Sequence, residues 1–135
     1  MASRTAASNR QEALVRLKTG AAYLDVAELV LNDRQRDEFF NVAGALAVLA
    51  GIAASDALCA IRLGKRHRGD DHRGATQLLE SATPDGRDLA NRLRRLLDLK
   101  DEAHYGVVVV SSQKARSAVR NARHLLRRAT EELER

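Results

Sequence analysis

Residues 39–55 form an uncharged run of seventeen, and shortly afterwards the chain becomes RLGKRHRGDDHR (62–73), in which nine of twelve residues are charged or histidine. Few folds accept such a run. It stands at the short limit for a membrane span, is rich in Ala and Gly, and carries Asn41 inside it, so a helix buried in protein is the expectation. Val42, Leu46, Leu49, Ala53, Ala57 and Ala60 share one face of that helix, and its other faces are nearly as apolar. A helix apolar all round is the central one of a bundle. Gly44 and Gly51, seven residues apart, let a neighbouring helix approach closely. Asp56 is a lone charge within the apolar stretch, and a buried carboxylate needs a partner or a proton.

The remaining sequence agrees with a helical fold. Aromatic residues make up 3% of the 135, hydrophobic residues 44%, and there is a single Pro. Such a composition predicts an all-α chain of one domain, an up-down bundle of four long helices and one short one. The bundle is expected over residues 9–135, with residues 1–8 as a flexible tail. Ser8 or Asn9 caps the first helix, Asp70 or Asp71 the short third, and Ser111 or Ser112 the last. Pro84-Asp85-Gly86 marks the sharpest turn. Cys59 has no second cysteine to pair with and reads as a small buried hydrophobe, which fits a reducing cytoplasm and no disulfide framework.

Charge is unevenly spread. Residues 1–61 hold six Lys/Arg and seven Asp/Glu, whereas residues 62–135 hold seventeen and eleven, so the basic character belongs to the second half. An anionic partner is expected to touch that half. Arg116, Arg120, Arg123 and Arg127 recur at helical spacing in a segment with no acidic residue between Ser111 and Thr130. They form one candidate anion-binding stripe. The elbow supplies another set, Arg66, His67, Arg68 and His72, with Asp56 as a candidate inner partner. Lys100 and His104 fall on the same helical line as Leu89, Leu93 and Leu96. Either they point towards the core or an interface, where Lys100 or His104 faces Asp56, or the helix end has left the core and both are solvated. His67, Asp70, Asp71 and His72 match no zinc spacing, and no metal or other cofactor is expected. Nucleophilic triads, phosphate-binding glycine loops and paired catalytic carboxylates are absent.

Two pieces of the chain resemble the HEPN superfamily (higher eukaryotes and prokaryotes nucleotide-binding), small bacterial helical domains. One is the Ala-rich helix followed by a turn and His72. The other is LLDLKDEAHYG (96–106) followed by a long Ala-rich helix. The likeness covers residues 40–135. It implies a helical bundle that pairs with a second copy through its central and fourth helices, acting as a module for RNA, nucleotide or protein partners, without a membrane. Ribonuclease members, of the toxin type, carry an arginine and a histidine separated by four to six residues. Here Lys100 stands in place of the arginine and His104 or Tyr105 in place of the histidine. Arg62 with His67, and Arg66 with His72, fit that spacing, but they lie in the elbow, a different loop from the one where the family carries its pair. The resemblance therefore implies a non-catalytic interaction module, with a metal-independent ribonuclease built on Lys100, His104 and Tyr105 as the alternative.

Overall fold

The computed structural model describes residues 4–33, 36–105 and 109–135, without the side chains of Asp101, His104 and Tyr105. The chain is an all-α bundle of four long helices and one short one. Its elements are β1 (Thr5–Ala7), α1 (Arg10–Asn32), α2 (Phe39–Leu63), β2 (Lys65–His67), α3 (His72–Ala82), α4 (Gly86–Tyr105) and α5 (Ser112–Leu133).

α2 is the central helix. It packs along α1, α5 and α4, while α3 lies on α4. It is long and apolar enough to cross a membrane, but two thirds of its most apolar window (67%) is buried inside the bundle. Thirteen of its residues are buried, nine of them alanine or glycine, so its neighbours come close. Gly44 faces Leu99 and Ala103 of α4, and a methyl at Gly51 would overlap the end of Leu96. The two glycines thus seat α4 against α2, as their spacing predicts. Leu24, Leu58, Leu79, Leu89, Leu93, Leu96 and Leu125 are the largest fully buried side chains. Each contributes about 1.5–3 kcal/mol of apolar burial. Asn41, the polar residue inside the uncharged run, accepts the Val110 N–H through Oδ1 at 2.6 Å, which accounts for an amide in that position.

Helix ends follow local rules. Asn9 and Glu12 form a reciprocal capping box at the start of α1, worth about 1 kcal/mol. Asp71 caps α3 and Ser111 caps α5. Residues 5–8 depart from the expectation of a flexible tail. Thr5–Ala7 pairs antiparallel with Lys65–His67, in the register Thr5↔His67, Ala6↔Arg66, Ala7↔Lys65. Ser8 N–H donates to the Gly64 carbonyl and Arg68 N–H to the Arg4 carbonyl, closing both ends of the ladder. Three small residues show no alternating pattern of their own. The elbow strand supplies the template that orders them.

Candidate functional site

The elbow forms because α2 stops abruptly. Gly64 adopts φ 71°, a left-handed conformation open to glycine, and returns its N–H to the Ala60 carbonyl. β2 follows at once, held by β1, and Gly69 (φ 107°) turns the chain towards the Asp71 cap of α3. The segment is thereby folded back over the C-terminal half of α2, opposite α4.

Between these elements lies a cavity of about 210 Å³. Ile52, Ala75, Leu93 and Leu97 give it apolar walls, and Asp56, Arg66, His67, Asp70, Asp71, His72 and Lys100 give it ionisable ones. The structure therefore brings together five of the residues singled out by sequence: Asp56, Arg66, His67, His72 and Lys100. His104 and Tyr105, the other two catalytic candidates, lie outside the residues whose side chains are described. Arg68 is exposed on the elbow and does not line the cavity.

Asp56 is 15% exposed, and its ion pair is with Arg16 of α1, Nη2 to Oδ2 at 3.0 Å. Sequence pointed to Lys100 or His104 as its partner. Lys100 does share the cavity, but Arg16 was missed because it lies off the apolar line of α1. Burial pushes the Asp56 carboxyl above its ordinary value, and Arg16 first, then Arg66 and His67, draw it back. Behind Asp56 is a second depression of about 470 Å³, lined by Ser8, Glu12, Val15, Arg16, Asp56 and Arg66. Asp56 and Arg66 are thus the shared wall of two cavities.

His67 is the least satisfied polar group at the site. Both ring nitrogens are buried and have no hydrogen-bond partner among the described residues. Buried polar atoms are rarely left so, because each unmade bond costs about 1–3 kcal/mol. Neutral imidazole offers one donor and one acceptor. The half-buried Arg66 makes a long hydrogen bond, Nη1 to the His67 carbonyl at 3.4 Å. Cys59, one turn from Asp56, is buried, and burial together with that carboxylate pushes its thiol up to about 12, so it is inert at neutral pH.

Other candidates lie elsewhere. Arg62 points away from the cavity, donating to the Ala82 carbonyl and standing 3.5 Å from Glu132. None of Arg116, Arg120, Arg123 and Arg127 lines the elbow cavity. Arg123 is paired with Glu28 of α1, and Arg116 donates to the Ser112 hydroxyl. Arg120 and Arg127 are exposed. Arg116 and Arg120 line a separate groove with Glu28 and Asn32. Among the described residues no three His, Cys, Asp or Glu side chains converge to hold a metal ion. Compared with protein-family models and with curated proteins, the chain matches none.

Proposed function

We propose that the chain is a non-catalytic, HEPN-like interaction module that receives one base of an RNA, or the base of a nucleotide, in the elbow cavity. The observation that carries this reading is His67, which lines the partly apolar cavity and whose two buried ring nitrogens lack partners among the described residues. A nucleobase is flat and apolar on its faces and carries donors and acceptors on its edge. At about 210 Å³ the cavity is smaller than the roughly 300–1,000 Å³ of pockets for drug-sized ligands, which suits one ring system rather than a longer ligand. Exposed Lys65, Arg68 and Arg73 beside it provide cations for phosphate groups that remain outside. A second copy of the chain, or a protein, is a further partner under the same resemblance.

The ribonuclease reading draws on a specific observation as well. Arg66 and His72 have the family's Arg/His spacing and line the same cavity. One experiment separates the two. Short RNA and nucleoside monophosphates are titrated against the parent, His67→Leu, His72→Ala and His104→Ala, with cleavage followed in parallel. Binding that weakens about tenfold in His67→Leu, without cleavage by any protein, supports the module. Cleavage lost in His72→Ala or His104→Ala supports the enzyme. Absence of binding in the parent ends the base-binding reading.

A further inference from the structure

The wall shared by the two cavities bears on what the elbow cavity accepts. Arg16 lines only the depression behind it, and from there anchors Asp56 Oδ2 at 3.0 Å. The elbow cavity therefore meets a carboxylate already fixed from the far side. While ionised, such a group accepts hydrogen bonds and donates none. The surrounding charges are Arg66 and the imidazole of His67 from β2, Lys100 from α4, and Asp70, Asp71 and His72 at the start of α3. A phosphate placed inside would meet the cations Arg66 and Lys100 but also three carboxylates, Asp56, Asp70 and Asp71, whereas an uncharged ring escapes that repulsion.

We propose that Asp56 reads the amino-bearing edge of the inserted base, with Arg16 as its positioning residue, so that the cavity takes cytosine in preference to uracil. The inference rests on the base-binding reading above. Cytosine directs its exocyclic amino group at the carboxylate, an established pairing in base recognition. Uracil places a carbonyl oxygen there instead, lone pair against lone pair. A site built to accept that N–H leaves its own acceptor unpaired with the wrong base, which gives strong discrimination. Arg16 touches no ligand atom in this arrangement. Its effect passes through the orientation and charge of Asp56.

The test is calorimetric titration of cytidine and uridine 5′-monophosphate into the full chain, using the parent, Asp56→Asn, Arg16→Gln and Arg16→Lys. Thermal unfolding of each protein in the same buffer separates lost recognition from lost fold. The parent is expected to hold the cytidine nucleotide at least about tenfold more tightly. Asp56→Asn, whose amide donates to a carbonyl, levels or inverts the preference. Arg16→Gln lowers the cytidine affinity more than the uridine affinity, and Arg16→Lys restores part of the difference. Equal affinity of the parent for the two nucleotides overturns this inference and leaves base binding standing. A preference unchanged in Asp56→Asn overturns it too. No binding of either nucleotide overturns both.

Discussion

Asp56 shows how much a single side chain can cost its own fold. It is mostly buried, its ordinary ionisation is opposed by burial, and among the described residues its ion pair is with a half-exposed arginine. Removing one partner of such a pair is not symmetric. Arg16→Gln leaves a buried carboxylate without its cation and is expected to destabilise the chain by about 1–2 kcal/mol at neutral pH. Asp56→Asn removes the costly charge and leaves Arg16 in reach of water, so stability is expected to hold or rise by up to about 1 kcal/mol. Urea unfolding of the two variants checks the contrast, and a marked loss in Asp56→Asn would show that Asp56 serves the fold. Asp56 as an inner partner was legible from its place in the apolar stretch. Arg16 was not, since periodicity within α1 says nothing about which off-line residue reaches across to α2. The orphaned nitrogens of His67 were equally invisible, because they depend on what fails to surround the ring.

Individual elements were largely legible. The uncharged run became the enclosed α2, and Gly44 with Gly51 became the seat of α4, because helix periodicity and small residues act locally. β1 was missed because its pairing is set by β2 rather than by its own residues. The turn between α3 and α4 also owes its shape to one residue. A methyl on Gly86 would overlap the main chain of Glu80, which no rotamer change can relieve. Gly86→Ala is expected to lower stability by about 1–3 kcal/mol, read as a reduced urea midpoint at unchanged slope. An unchanged midpoint would mean that the turn yields. The same turn is fastened to the end of α5, where Arg128 makes a two-pronged pair with Asp85 and a 2.7 Å contact with Glu132.

For the whole molecule, these carboxylates and Asp56 act in opposite directions on pH-dependent stability. Hydrogen bonding to Arg128 holds Asp85 down to about 2 and holds the buried Glu132 below its ordinary value. Groups lowered in the folded state add stability that is present above their ordinary values near 4 and lost as pH falls through the folded values. Asp85 is 44% exposed, so solvent screens its share and Glu132 carries more of the effect. Asp56 is raised instead, so its contribution is present at low pH and lost as pH rises through its folded value. Stability is therefore expected to be highest on the acid side of neutrality, then to fall steeply below about pH 4. Urea midpoints across pH 2–8 measure this, and Asp56→Asn should remove the gain between neutrality and the maximum. A parent curve that declines steadily from pH 7 to pH 4 would contradict it.

The short sheet has one more consequence, for the order in which the molecule is completed. β1 precedes α1 and β2 follows α2 in the chain, so pairing them from an open chain means closing a long loop for a few hydrogen bonds. Once α1 lies along α2, most of that closure has been achieved, and the ladder adds little further restriction. The sheet therefore closes at little further cost once the hairpin has docked, and that closure holds the strand carrying Arg66 and His67 against β1.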